Sequence, residues 1–531
     1  MAYLHVSPKP RSATRPALLR VVSRRWIVGV AAFGVLVLAG FSFVSANWPY
    51  RYRKIKPMLE DMLSSQVKIS KYHRTYFPHP GYVATGITMR RKSALDLPPL
   101  GSVETMVVEG SWMDLLMLRQ RVELVDITGL HIVVPAIGSR ENHEDFPPGS
   151  AKDFDGPDTK IDRLVLHTSL LDILHEDGKR SSFPIAELDI RNLHRGEALT
   201  YAVDMRNAIP TGRIIANGTM GPIDGKDFAS TPVSGSFTFN GVELQDVGEI
   251  RGTLDSNGHF KGTLAAIEAE AESNTPDFAV ERGQASHVFG KIHCTINGNN
   301  GYLKIHSIDL KTGATSIHVE GEIGGLPKVA NLDIAVTRGR AEDVLRPFIH
   351  EDIPISGPVW IKSHAYVGPP GDGFLERLRV DGVFDVPAER VEDRDTQKSL
   401  SEFSQRAQGN KSDGSNPTSG EKGPATDALS SLKGSTSIRN GVASTQQLTF
   451  KIAGAEAELK GTFNFHNKRA HLTGNLKMET DISHTTTGFK SWLLKPISPF
   501  FKKKNMGAVV PIAVTGIPGS YKVTQDITHS K

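Results

Sequence analysis

The tripeptide His-Glu-Asp occurs three times, at 143–145, 175–177 and 350–352. An imidazole beside two carboxylates could ligate a divalent metal or move a proton. A zinc-protease helix, however, needs two histidines four residues apart, so that both reach one ion from one face. None of the three copies has that spacing, and their settings NHEDFPPG, LHEDGK and IHEDIP read as solvated polar turns. The stretch GPIDGKD at 221–227 has the Gly-Lys pair of a phosphate loop. It is too short between its glycines, and Asp227 stands where Ser or Thr should hold magnesium. No G-x-S-x-G nucleophile elbow is present. Cys294 is the one cysteine, so no intrachain disulfide can form, and it has no catalytic setting. These residues pick out no catalytic, metal or cofactor site, and the expectation is a protein that is not an enzyme.

The elements around them are read from periodicity. Residues 457–478 run AELKGTFNFHNKRAHLTGNLKM. Ala457, Leu459, Gly461, Phe463 and Phe465 alternate with Glu458, Lys460, Thr462 and Asn464. After a polar connection at 466–469, Ala470, Leu472, Gly474, Leu476 and Met478 alternate with His471, Thr473, Asn475 and Lys477. Strand side chains alternate sides, so this is an antiparallel hairpin with one apolar and one wet face. Its core, apolar-x-Gly-x-apolar, recurs at 233–237, 250–254, 260–264 and 319–323, with glycine on the apolar side. Glycine inside a strand marks a bend or a close approach. Repeated, it lets a long sheet curl toward its apolar side. The candidate lining of that side is Phe237, Phe239, Leu254, Leu264, Ile323, Leu459, Phe463, Phe465, Leu472 and Leu476. A β-sandwich with ordinary glycine bends is the competing architecture. The recurrences are unevenly spaced, which excludes a fixed-period solenoid or propeller.

The chain has 531 residues, enough for several ordinary domains, and a net charge of +4 that gives no basic surface for nucleic acid. Trp26 to Trp48 reads WIVGVAAFGVLVLAGFSFVSANW without a charge. As a helix it would be roughly 30 Å long, the thickness of a bilayer core, with a tryptophan at each interface. Val44-Ser45-Ala46 resembles a signal-peptidase site, but the apolar run exceeds the usual signal-peptide core. An uncleaved anchor is expected. Lys9, Arg11, Arg15, Arg20, Arg24 and Arg25 precede it, and Arg51, Arg53, Lys54 and Lys56 follow it. This modest asymmetry favours residues 1–25 as a cytoplasmic tail.

Beyond the anchor, the reading is a mainly β chain with a few short helices. KIKPMLEDMLSSQ predicts an amphipathic helix, with Pro57 in its first turn and Met58, Leu59, Met62 and Leu63 on one face. Strands broken at Pro78, Pro80 and Gly81 follow, and Ser111 with Asp114 predicts a helix start. Residues 49–140 thus form an α/β base, and 141–394 the elongated sheet, with a short helix at 340–350. Residues 395–430 are rich in Ser, Gly, Asn and Lys and predict a disordered loop. Strands resume over 431–531. Within that last part, GFKSWLLKPISPFFKKKN mixes Trp492, Phe500 and Phe501 with Lys502, Lys503 and Lys504. That is the composition of a segment lying at an anionic membrane interface, or of a cap with solvated lysines.

Two stretches carry a family resemblance. One is the order of membrane span, PMLEDMLSSQVKISKY, the P-H-P-G-Y turn and GSVETMVVEGSWMDLLMLRQRVELVDITGLHIVVP. The other runs from SSLKGSTSIRNGVASTQQLTFKIAG through the hairpin to GAVVPIAVTGIPGSYKV. In these the chain resembles the AsmA-like bacterial envelope proteins, including their TamB-related members. The resemblance implies an inner-membrane anchor and an elongated, curled, antiparallel-rich β-groove in the periplasm. It implies phospholipid as the ligand, carried between inner and outer membranes, with no cofactor. A second role it implies is assembly of outer-membrane or envelope proteins through protein contacts. About 25 strands at roughly 4.8 Å each would make a groove on the order of 120 Å long.

Overall fold

The computed structural model describes residues 50–525, except 92–98, 136–158, most of 392–429, 479–508 and several shorter stretches. The apolar run 26–48 and the segment containing Trp492, Phe500, Phe501 and Lys502 to Lys504 lie outside the described residues. Among the described residues, no helix is long and apolar enough to cross a membrane.

The base begins with helix α1 (Tyr52–Met62), then β1 (Ser65–Thr75), β2 (Gly81–Arg91) and β3 (Gly101–Glu109). Helix α2 (Trp112–Leu116), β4 (Arg121–Thr128) and β5 (His131–Val134) complete it. The sheet continues through β6 (Lys160–Leu174), β7 (Arg180–Leu193), β8 (Leu199–Asn207), β9 (Gly212–Met220) and β10 (Pro232–Glu243). Next are β11 (Ile250–Arg251), β12 (Thr253–Thr263), β13 (Ala266–Val280), β14 (Ser286–Ile296) and β15 (Leu303–Thr312). After β16 (Thr315–Gly324) and β17 (Val329–Arg340) come α3 (Ala341–Leu345), β18 (Ile355–Ser356) and β19 (Pro358–Val367). Helix α4 (Phe374–Arg377), β20 (Leu378–Val391), β21 (Ser430–Arg439) and β22 (Val442–Ile452) follow. The last strands are β23 (Ala455–Asn464), β24 (Arg469–Met478), β25 (Val509–Gly516) and β26 (Lys522–Gln525).

Among the described residues, all 26 strands belong to one laterally continuous ladder in which sequence neighbours pair. The pairings are antiparallel except where β4 and β5 meet β6 in parallel. Three rungs are interrupted strands: β4 with β5, β11 with β12, and β18 with β19, which leaves 23 rungs. At roughly 4.8 Å per step the ladder is on the order of 105 Å long, slightly shorter than the strand count in the sequence implied. Strands pack on their ladder neighbours, and among the described residues no second sheet lies across them. This is one long antiparallel-rich sheet, with no second layer across it of the kind a sandwich would have among the described residues.

Two local features interrupt its regularity. Register shifts recur in the β10–β12, β13–β14, β14–β15, β15–β16, β16–β17, β17–β19 and β22–β23 pairs, and such bulges increase local twist. Glycines on the inner face are the other. A Cβ on Gly474 would sit 1.9 Å from the carbonyl oxygen of Glu458 on the next strand. A side chain cannot enter that space, so only glycine allows the two backbones to approach this closely.

In the base, α1 lies over the start of the inner face. It buries Ile55 and Leu59 against Val67, Tyr82, Ile87, Met89 and Val108. The helix begins at Tyr52, earlier than the sequence suggested, so Pro57 falls in its interior and not in its first turn. The apolar stripe rotates accordingly. Ile55 and Leu59, four residues apart, face the core, and Met58 is 45% exposed. Ser111 caps α2 as expected, its hydroxyl accepting from the Met113 amide at 3.2 Å.

Three described residues within 395–430, Gln397, Ser401 and Ser404, are helical. Gln397 and Ser404 are buried, and the Ser404 hydroxyl donates to the Ala453 carbonyl at 2.8 Å. Apart from these three and Ser430, which opens β21, the stretch expected to be a disordered loop lies outside the described residues.

Near the end of β6, Asp172 is fully buried on the sheet. Its carboxylate accepts from Ser182 Oγ (2.6 Å) and Arg180 Nη1 (3.2 Å), and His131 Nε2 lies 2.9 Å away. Burial raises this carboxyl, but the hydrogen bonds from Ser182 and His131 and the Arg180 charge outweigh it and hold it below the ordinary carboxylate range. A depressed folded-state value stabilises above the unfolded value, near pH 4, and that stability is lost as pH falls through the folded value. Asp172→Ala should cost about 1–3 kcal/mol at neutral pH, since it strands partners that are themselves partly exposed. It should also flatten the acid limb of stability measured by urea unfolding between pH 2 and 5.

Candidate functional site

The inner face is built rung by rung from bulky residues set beside small ones. Phe237 on β10 pairs with Gly258 on one side and Ala216 on the other. Phe260 on β12 lies over Gly235, and the Phe237 and Phe260 rings are 6.3 Å apart at 44°. Phe239 sits between Ser256 and Ile214, and Leu254 opposite Val242. Ile323 on β16 joins Leu303 and Ala330. At the far end Leu459 meets Leu448 and Gly474, Phe463 meets Ala443 and Ala470, and Leu472 meets Gly461 and Val514. Where the largest rings stand, Phe237, Phe260 and Phe463, a Gly or Ala on an adjoining strand leaves room for them.

Exposure along this face is uneven. Among the described residues there are three closed clusters. One is the base under α1; one gathers Val336, Ala341, Val359 and Val386 beneath α3; one gathers Ile452, Ala455, Leu476, Met478, Val510 and Ile512. Outside them Phe237, Phe239, Leu254, Ile323, Phe463 and Leu472 are neither buried nor fully exposed, and Leu459, also intermediate, packs against the C-terminal cluster. Burial pushes the Tyr201 phenol and the Cys294 thiol up, both on this face, as a surface poor in water requires. A raised thiol is a poor nucleophile, so Cys294 is an apolar filler opposite Ala269 and Ile305.

Three of the expected lining residues sit differently. Leu476 belongs to the closed C-terminal cluster. Leu264 lies in the turn between β12 and β13, where its amide donates to the Thr231 carbonyl. Phe465 is also past its strand, 38% exposed, edge-on to Phe463 at 5.2 Å. In both turn cases the alternation continued in sequence one residue past the last ladder bond. Phe260, Ile292 and Ile308 were missed as lining, although each stands at an inner position of an alternating strand.

The outer face is wet. Lys477 pairs with Glu458 at 2.7 Å, Arg213 with Asp204 at 2.6 Å and Lys291 with Glu272 at 2.9 Å. His318 lies between Asp309 (2.7 Å) and Glu320 (3.0 Å), and their hydrogen bonds raise its value. Exposed pairs like these add little stability each, but they keep this side in water. A polar depression of about 960 Å³ lies here, bordered by His318, Asp333, His364 and Asp381. Among the described residues no group of three or more His, Cys, Asp or Glu side chains converges on a metal position. Of the His-Glu-Asp tripeptides, 143–145 is outside the described residues. His175 hydrogen-bonds Ser181, and Glu351 pairs with Lys468. No protein-family model matches the chain, and neither does any curated protein.

Proposed function

We propose that this protein is a membrane-anchored, AsmA-like lipid carrier of the bacterial periplasm, holding phospholipid acyl chains along the inner face of its curled sheet. The observation that carries this reading is the half-exposed apolar stripe on a single-layer sheet. Such a stripe is costly to leave in water and is not covered by a second layer among the described residues. An acyl chain laid on it removes roughly 0.8 kcal/mol of unfavourable hydration per buried methylene. Roughly fifteen methylenes would contribute up to about 12 kcal/mol, with the headgroup left in solvent at the open side. On this reading the span at 26–48 fixes the base at the inner membrane, and the segment at Trp492 to Lys504 is a second membrane-facing element.

Assembly of envelope proteins by strand addition is the second reading, and it draws on the end strands β1 and β26, each paired on one side only among the described residues. Lys68, Lys71 and Arg74 on β1 are exposed, the kind of charge that protects an edge from added strands, and this disfavours it. The test is a photo-crosslinking residue placed in turn at Phe463, Leu472, Lys460 and Thr473, and on the end strands at Lys71 of β1 and Lys522 of β26. Phospholipid adducts should form at the two inner positions and be absent at the two outer ones. Protein adducts at β1 or β26, with no lipid at any inner position, would replace the carrier by the assembly factor.

A further inference from the structure

We propose that the cleft between α1 and the outer side of β1–β2 holds the phosphate group of an anionic phospholipid. The proposal rests on the reading of 26–48 as a membrane span, and it adds a headgroup site to the acyl groove. The cleft, about 900 Å³, is lined by Tyr52, Lys56, Pro57, Lys68, Thr88 and Arg90 together with Glu60 and neighbouring β1 residues. Lys68 pairs with Thr88, and Gln66 with Arg90, so Lys68 and Arg90 are diagonal neighbours on one face of the β1–β2 pair. That places an ammonium and a guanidinium within reach of one anion. Lys56 approaches from α1. The single acid, Glu60, is already engaged. It lies 3.7 Å from Lys56 Nζ and accepts from the Val67 amide at 3.1 Å. Lys68 and Arg90 make no ion pair among the described residues, so the cleft has cationic groups in excess.

Two further observations favour a lipid as the source of the phosphate. Helix α1 starts at Tyr52, four residues past Trp48, and even a fully extended connection of that length reaches no more than about 14 Å. A span ending at Trp48 would therefore keep the start of α1, with Tyr52 at one end of the cleft, within about 14 Å of the bilayer core. The same helix covers the inner face with Ile55 and Leu59, and the cleft runs over the β1 edge, taking in Val67 and Ile69 as well as the outer Lys68 and Arg90, at the lip of the groove. Arg53 and Lys54 on α1 are exposed as well and would draw anionic lipid toward that lip.

The test uses the full chain in nanodiscs of phosphatidylcholine containing phosphatidylglycerol, extracted mildly and read by native mass spectrometry. Bound phosphatidylglycerol should be enriched about fivefold or more over its bulk share, the preference expected from one or two cations near a membrane surface. Lys68→Gln/Arg90→Gln should bring it to parity with an unchanged circular dichroism spectrum. Lys71→Gln/Arg74→Gln, which removes the same charge outside the cleft, should keep the enrichment. No enrichment in the unaltered chain, or equal loss in both double variants, would overturn the site. Saturable binding of inorganic phosphate without lipid enrichment would also overturn it, assigning the cleft to a free anion. The groove variant Phe463→Asp separates the two ideas. If the groove reading fails while the cleft holds, it leaves total bound lipid unchanged and the selectivity is still removed by Lys68→Gln/Arg90→Gln.

Discussion

Phe463→Asp is expected to strip most bound phospholipid from the protein and leave its fold intact. Phe463 lies on the inner face between Ala443 and Ala470, with its ring edge toward Phe465 and its tip half-exposed. An aspartate there can be hydrated from the open side, so its charge costs the fold little, but it puts an anion where acyl chains would lie. The same substitution at Ile87 has the opposite outcome. Ile87 is 2% exposed, packed between β1 and β3 under α1. A carboxylate there has no partner and no water, which costs several kcal/mol. Thermal unfolding followed by circular dichroism, with bound lipid phosphorus measured on the same samples, separates the two. Phe463→Asp should lose lipid at a nearly unchanged melting temperature, and Ile87→Asp should melt well below the unaltered chain. Equal melting losses would mean that the inner face at Phe463 is a closed core.

The contrast also shows what could be read from the chain alone. Alternation is local, so the hairpin β23–β24, its faces and the glycine positions were legible from types and spacing. The one-layer architecture was not settled by the sequence, because one-sided alternation is the same in a single sheet and in either layer of a sandwich. Whether an inner residue is open or covered depends on elements distant in sequence. Leu472 and Leu476 are equivalent in the alternation. Leu476 is closed off by Val510 and the neighbouring cluster, and Leu472 remains open. Helix α1 was found but misphased, because its apolar positions Ile55 and Leu59 were judged from a start near Pro57 and not from Tyr52. The cleft of Lys56, Lys68 and Arg90 had no signal in the sequence. Its three cations come from a helix and two strands, and only the register of β1 on β2 brings them together.

Gly461→Val should be among the most disruptive single changes outside the closed clusters. Gly461 is at φ +145°, a backbone region that side-chain-bearing residues rarely adopt, at a cost of about 1–3 kcal/mol. A Cβ there would lie 2.1 Å from the His471 carbonyl oxygen and 2.8 Å from Leu472 Cα. Both atoms are backbone in the adjacent strand, so no side-chain rotation can relieve the collision. Either β23 and β24 part, losing ladder hydrogen bonds, or the strand flattens and opens the concave side. The combined loss is about 2–5 kcal/mol. Lys460→Val, one residue away on the exposed outer face, should change stability by no more than about 0.5 kcal/mol despite being the same replacement in a strand. Urea unfolding of the two variants measures the difference directly. Because the curl also shapes the groove, Gly461→Val should lower photo-crosslinking of lipid at Leu472 even below its unfolding midpoint, and Lys460→Val should not. Equal stability of the two variants would mean that the close approach of β23 and β24 at Gly461 is not what bends the sheet.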